Sequence, residues 1–126
     1  MAWGGVERRI FPRADFPCKI KIISKKNILV SHTENISKGG IRVILEEKLN
    51  YFEIVSLELF FKKDEPIKCE GRIAWVIEKM NPLEGQPIMF DTGIAFKGLS
   101  GSDREYIKNL VDMILSIKSK PEEKSK

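Results

Sequence analysis

Two short clusters of polar residues carry groups that bind anions and purine edges. Arg8, Arg9 and Arg13 fall within six residues of one another, next to Pro12. Each guanidinium is a planar fork of N–H donors that matches a phosphate, or the adjacent N7 and O6 acceptors of guanine. The second cluster, Asn35-Ile36-Ser37-Lys38-Gly39-Gly40, brings together an amide, a hydroxyl and two glycines. Together the clusters offer what a phosphodiester carrying guanine requires.

The residues around both clusters predict that their side chains are accessible to a ligand. Pro12 disfavours a helix at the residue before it, so the arginines are expected on an extended segment. Asn35 and Ser37 are turn formers, and Gly39-Gly40 lets a ligand approach the main chain. Taken alone, each cluster has an ordinary structural explanation, as a solvated basic arm and as a hairpin turn.

The net positive charge of the chain comes from its two ends. The 126 residues carry a net charge of +4, with 42% hydrophobic and 32% charged residues, which is typical of a soluble one-domain protein. Residues 1–13 and 116–126 are each net positive, whereas residues 14–115 are neutral. A duplex DNA-binding protein more often has a basic face on its body, so the pattern favours a small anion.

Alternating hydrophobicity predicts six strands. They are expected at residues 16–23, 28–34, 41–45, 54–61, 67–78 and 88–97. Residues 35–40 are predicted to form the turn between the second and third strands, and residues 81–87 a loop. Alternation also predicts that Trp75 packs in the core on the same face as Ile73 and Ile77, with stacking on a ligand base as the alternative.

A helical period follows the last strand. Ser102-Asp103-Arg104-Glu105 resembles a capping box, with Ser102 as the N-cap. An apolar stripe at helical spacing comes next: Ile107, Leu110, Val111, Ile114 and Leu115. We predict a six-stranded antiparallel β-barrel with one C-terminal helix, because closure removes exposed strand edges. An open sheet with the helix across one face is the alternative. Residues 1–13 are expected to be a flexible arm, 14–118 the barrel and helix, and 119–126 a disordered tail.

Catalytic and metal-binding patterns are not evident. The two cysteines, Cys18 and Cys69, lie far apart in strand-like segments and are interpreted as reduced core thiols. His32 is the single histidine, so neither a zinc cluster nor a nucleophile–base pair is indicated. The chain has no apolar run long enough for a membrane span and no secretory signal, so a cytoplasmic location is expected.

The two clusters, in this order and separated by a strand pair, resemble the PilZ domain family. The resemblance continues in Ile41-Arg42-Val43, in Gly71-Arg72-Ile73-Ala74-Trp75-Val76 and in Thr92-Gly93-Ile94-Ala95-Phe96, and covers roughly residues 7 to 115. It implies a six-stranded barrel that binds the bacterial second messenger cyclic di-GMP and does not catalyse a reaction. One or two molecules of the ligand would bind.

The resemblance also implies the site residues. Arg8, Arg9 and Arg13 would wrap over guanine and phosphate, and Asn35, Ser37, Gly39 and Gly40 would line the barrel rim beneath them. Arg42 and Trp75 are weaker members of the predicted set. Asn35 stands where the family also accepts aspartate, and an amide accepts from the guanine N–H groups less strongly than a carboxylate.

We expect that ordering of the arm on binding signals to a partner protein in trans, and that the protein is a monomer or a ligand-linked dimer. Two other functions are considered. One is a protein–protein adaptor of the same fold that does not use the nucleotide. The other is a barrel that binds single-stranded nucleic acid, which would place aromatic side chains in a basic groove on the body.

Overall fold

Seven strands and one helix follow one another in the part of the chain that the structure describes. The structure is a computed structural model that describes residues 13–61, 65–79 and 88–118. The strands are β1 Ala14–Asp15, β2 Lys19–Ile23, β3 Ile28–Ile36, β4 Gly40–Leu45, β5 Ile54–Phe60, β6 Ile67–Lys79 and β7 Met89–Lys97, and helix α1 is Gly101–Lys118. The predicted loop at 81–87, the predicted tail and all of the predicted arm except Arg13 lie outside the described residues.

Six of the strands close into an antiparallel barrel. Strands run in the order β3-β2-β5-β6-β7-β4, and β4 pairs back to β3, which joins the two ends of the sheet. β1 is an additional strand that pairs with the second half of β3. The predicted barrel with one C-terminal helix is therefore confirmed over the open sheet.

A proline divides the first predicted strand. The sequence predicts one strand over residues 16–23, but Phe16, Pro17 and Cys18 separate β1 from β2. Pro17 lacks an N–H for a strand ladder. Thr33 of β3 bridges the interruption, because its hydroxyl donates to Phe16 O at 2.6 Å and accepts from Cys18 N at 3.0 Å. β1 and β2 thus lie along the same side of β3.

The inward faces of the strands form one apolar core. Helix α1 adds Ile107 and Val111 to it, both at most 1% exposed, as the helical spacing predicts. The strand residues buried with them include Ile20, Ile22, Ile36, Ile41, Val43, Leu57, Leu59, Ile73 and Ile94. Among the described residues, no helix is both long and apolar enough to cross a membrane.

Helix α1 begins earlier than the predicted capping box. The Asp103 N–H donates to Ser100 Oγ at 3.1 Å, and the Arg104 N–H donates to Ser100 O at 2.9 Å. Ser100 is therefore the N-cap residue, and the prediction of Ser102 was wrong. The two serines are two residues apart and each is followed three residues later by an acidic residue, so the motif alone fits either position.

A bulge in β6 reverses the predicted orientation of Trp75. The register with β7 shifts between Ile73 and Trp75, so that Ile73 pairs with Ile94 while Trp75 pairs with Gly93. Ile73 is fully buried, but Ile77 is 55% exposed and Val76 takes the inward position. One extra residue exchanges the two faces of a strand. The prediction that Trp75 shares the core-facing side with Ile73 was therefore wrong.

Candidate functional site

A row of side chains crosses five strands on the outer surface of the barrel. The register places Asp15 of β1 beside Asn35 of β3, Asn35 beside Arg42 of β4, Arg42 beside Gly93 of β7, and Gly93 beside Trp75 of β6. We call these five residues the outer row. Four interstrand steps of about 4.8 Å give a length of about 19 Å along the curved surface of the barrel. The row is thus wide enough for a ligand larger than a single nucleotide base.

Asn35 lies on a strand, whereas the sequence predicted it within a turn. β3 continues to Ile36, and a register shift in the β3–β4 ladder lies between Thr33 and Asn35. Ile36 is fully buried, so its neighbour Asn35 faces outward. The Arg13 Nε–H donates to Asn35 Oδ1 at 2.5 Å. The last residue of the arginine cluster and the first of the Asn35–Gly40 cluster are therefore in direct contact.

The turn after β3 is held by the hydroxyl of Ser37. Ser37 Oγ accepts from Gly39 N at 3.1 Å and from Gly40 N at 3.2 Å, while the Ser37 N–H donates to Gly40 O at 2.8 Å. Ser37 is 1% exposed. Its hydroxyl fixes the main chain of the turn, which is the ordinary role of serine at such a position.

Glycine at position 40 is required by the neighbouring strand. A Cβ atom there would lie 2.3 Å from Ile94 O and 3.1 Å from Ala95 Cα. Any side chain would push β4 away from β7, since both contacts are with backbone atoms. Gly39 O also accepts from Phe96 N at 2.9 Å, so the turn is fastened to β7.

Arg42 forms a bidentate ion pair with Asp91 of β7. Arg42 Nε donates to Asp91 Oδ1 and Nη2 to Oδ2, both at 2.8 Å. The Asp91 side chain is 8% exposed, and Lys79 Nζ lies 3.6 Å from its Oδ2. Hydrogen bonding to Asp91 raises the pKa of Arg42 above its usual value. Arg42 and Lys79 together place two cations around the Asp91 carboxylate, and the carboxylates of Glu34 and Asp15 also act on Arg42.

Trp75 lies against the backbone of Gly93. A Cβ atom on Gly93 would lie 2.2 Å from Trp75 Cε2 and Nε1, so the indole occupies the space that a side chain would fill. Trp75 is half-buried, which leaves part of the indole accessible at one end of the outer row.

Both cysteines are free thiols with suppressed ionisation. Cys18 is buried and Cys69 half-buried, and burial raises the pKa of each to about 11. Within the described ranges, no three histidine, cysteine or acidic side chains are grouped as metal ligands.

The amino-acid sequence matches the model of a known protein family. The model described as PilZ domain matches residues 7–113, which is most of the chain and includes both motif clusters. The chain belongs to the PilZ domain family. None of the curated proteins matches the sequence of this PilZ domain.

Solved structures of other PilZ proteins share the fold. The PilZ domain of Escherichia coli YcgR with c-di-GMP has a TM-score of 0.68 and 12% identity, over 93% of this chain and 98% of that one. The K. pneumonia MrkH–c-di-GMP complex has a TM-score of 0.64 and 21% identity, over 87% of this chain and 54% of that one. Bacillus subtilis inhibitor of motility (MotI/DgrA) gives 0.66 and 19%, over 84% and 50%. This PilZ domain therefore spans about half the length of MotI and MrkH.

The predicted site residues of the PilZ domain divide into three groups. Arg13 contacts Asn35, and Asn35, Arg42 and Trp75 belong to the outer row that runs around the barrel from β3 to β6, while Ser37, Gly39 and Gly40 form the turn after β3. Arg8 and Arg9 lie outside the described residues. Sequence reasoning missed Asp91: its outward position follows from alternation with Thr92, but its pairing with Arg42 follows only from the β4–β7 register.

Proposed function

We propose that this PilZ domain is a receptor for cyclic di-GMP that binds the ligand on the outer row without catalysing a reaction on it. The observation that carries the proposal is the contact between Arg13 and Asn35, which joins the two motif clusters at one point of the barrel surface. Family membership supports it. So do the structures of YcgR and MrkH with c-di-GMP, which have the same fold.

The chemistry of the ligand suits the groups at this point. Cyclic di-GMP has two guanines and two anionic phosphodiesters. An arginine fork donates in a bidentate manner to a phosphate or to guanine N7 and O6. Asn35 offers both an acceptor and donors to the remaining edge of guanine. In the proposal Arg8 and Arg9 supply the further cations from the arm, and the backbone at Gly39 and Gly40 forms the rim beneath the ligand.

Trp75 is the proposed aromatic contact at the opposite end of the row. Its indole is backed by Gly93 and half exposed, so one face can receive a flat base. Quenching of its fluorescence by the ligand, measured in a Trp3→Phe background, is the expected sign of this contact.

Ordering of the arm is the proposed signal. Binding draws the arginines over the outer row, and the new surface is recognised by a partner protein in the cytoplasm. Ordering a segment on binding reduces affinity but creates a switch.

Calorimetry with cyclic di-GMP tests the receptor proposal. The wild-type chain should bind, and Arg13→Ala or Asn35→Ala should each weaken binding about tenfold or more, since a hydrogen bond to a charged group contributes roughly 1.5–3 kcal/mol. Arg104→Ala on helix α1 is the matched control and should bind as the wild type does. Absence of wild-type binding at high micromolar ligand contradicts the proposal.

An NMR titration separates the receptor from its alternatives. Ligand should shift the amide signals of Asn35, Ser37 and Gly40. Silent amides would favour the adaptor that does not use the nucleotide. Tighter binding of single-stranded oligonucleotides, with a steep dependence on salt, would favour the nucleic-acid-binding barrel.

A further inference from the structure

The ion pair between Arg42 and Asp91 fixes the orientation of a guanidinium within the outer row. Asp91 accepts from Nε and from Nη2 at 2.8 Å each, so both of its carboxylate oxygens bind one edge of the Arg42 fork. A bidentate pair allows little rotation about the bonds of the arginine side chain. The Asp91 side chain is 8% exposed and that of Arg42 30% exposed, so the carboxylate is the buried partner and the arginine reaches solvent.

The orientation leaves donors that face away from Asp91. Arginine has five N–H groups, and Asp91 receives one from Nε and one from Nη2. The remaining N–H groups, on Nη1 and Nη2, form a second edge of the same planar group. Arg42 lies next to Asn35 in the register, and Asn35 contacts Arg13. The second edge thus belongs to a guanidinium held one strand from the Arg13–Asn35 contact.

The ion-pair group of Arg42, Asp91 and Lys79 has more positive than negative members. A single buried carboxylate alone would repel a phosphate. Here Arg42 binds Asp91 directly and Lys79 lies 3.6 Å from it, so the group of three keeps a net positive charge. Glu34 and Asp15 also act on Arg42, and Arg13 at the neighbouring Asn35 adds a further positive charge. Asp91 therefore orients Arg42 while its own ion-pair group keeps one positive charge for a phosphodiester.

We infer that Arg42 binds a phosphodiester of the ligand and that Asp91 is a positioning residue that acts through Arg42. The inference rests on the proposed function. It adds a phosphate contact on β4 whose guanidinium Asp91 already orients in the free protein. The proposed contacts of Arg8 and Arg9, in contrast, form only when the arm orders on binding. Holding a group in its bound orientation reduces the entropy lost on binding.

A double-mutant cycle tests the inference by calorimetry with cyclic di-GMP. Arg42→Lys keeps the positive charge near Asp91 but removes the fork, and should raise the Kd about tenfold or more. Asp91→Asn removes one acceptor oxygen and should raise the Kd by a similar factor. The Kd of the double variant should be at most about twofold higher than that of the single variant with the higher Kd. The losses of binding free energy do not add when one residue acts through the other.

Two control variants on helix α1 match these changes. Arg104→Lys and Asp112→Asn make the same chemical substitutions, the second in the exposed Lys108–Asp112 ion pair, and should leave the Kd within twofold of the wild type. Additive losses in the cycle would show that Asp91 does not act through Arg42 and would overturn the inference.

A second measurement applies even if Asp91→Asn does not fold. The Arg42 Nε–H resonance of the wild type should be observable because Asp91 accepts that proton, and cyclic di-GMP should shift it. Wild-type binding with an unmoved Arg42 signal, or with an unchanged Kd in Arg42→Lys, overturns this inference alone. A wild type that does not bind overturns the proposed function and this inference together.

Discussion

At the scale of single residues, Asn35 is the member of the outer row that contacts the arginine cluster. Its amide oxygen accepts from Arg13, and its strand neighbours are Asp15 and Arg42. An amide is neutral, so the contact with Arg13 gains from one charge only. The choice of an amide rather than a carboxylate therefore sets the strength of both this contact and the proposed contact with guanine.

Replacing Asn35 with aspartate should strengthen binding of cyclic di-GMP. A carboxylate accepts more strongly from the guanine N–H groups, and the difference of about 1 kcal/mol corresponds to a Kd about fivefold lower. Calorimetry on Asn35→Asp measures it, and the exposed Asn109→Asp on α1 controls for the added negative charge. An unchanged or higher Kd would show that repulsion from Asp15 outweighs the stronger acceptor.

At the scale of secondary-structure elements, the start of helix α1 depends on one serine hydroxyl. Ser100→Ala removes the N-cap and should lower the free energy of unfolding by about 1 kcal/mol. Ser102→Ala should change it by a few tenths of a kcal/mol, because Ser102 lies within the helix. Urea unfolding midpoints measure both variants. A larger effect at Ser102 would contradict the helix start at Gly101.

Strand positions were predictable from alternation, but local irregularities were not. The buried residues Ile20, Ile22 and Val43 lie where a period of two places them. The bulge after Ile73 adds one residue to β6, and nothing in the local sequence marks it, so Trp75 was assigned to the wrong face. Pairing of β6 with β7 determines that bulge, and pairing depends on distant parts of the chain.

At the scale of the whole molecule, the outer row combines residues from five strands. The sequence identified Arg13 and Asn35 because each belongs to a short motif with a chemical meaning. Asp91 belongs to no such motif, and its contact with Arg42 joins strands that are far apart in the chain. Local sequence shows which groups are present, whereas register decides which of them meet.

Both thiols should report on global unfolding. With a pKa of about 11, roughly one in a thousand of each thiol is ionised at pH 8, against about one in ten at the ordinary value of 9.0. Alkylation at pH 8 should therefore be at least about a hundredfold faster in guanidinium chloride than in the native protein. Equal rates in the two states would contradict the burial of Cys18 and Cys69.

The same shifts predict a loss of stability in alkali. The folded state holds the thiol protons more tightly than the unfolded state does. The contribution of the two thiols to the free energy of unfolding is therefore complete below pH 9 and decreases as the pH rises toward 11. Unfolding midpoints measured over this range test the sign. Cys18→Ser and Cys69→Ser should each reduce the slope.

The ladder between β4 and β7 has a consequence for protein abundance. It is one of the ladders of the closed barrel, and it brings Arg42 to Gly93 and to Asp91. A chain that has not completed this ladder lacks the outer row, so a ligand of the row binds only folded molecules. By mass action such a ligand adds RT ln(1 + [L]/Kd) to the free energy of unfolding, or about 2.7 kcal/mol at a concentration of one hundred times Kd. If cyclic di-GMP is that ligand, as proposed, a rise in its concentration would also slow the degradation of the protein.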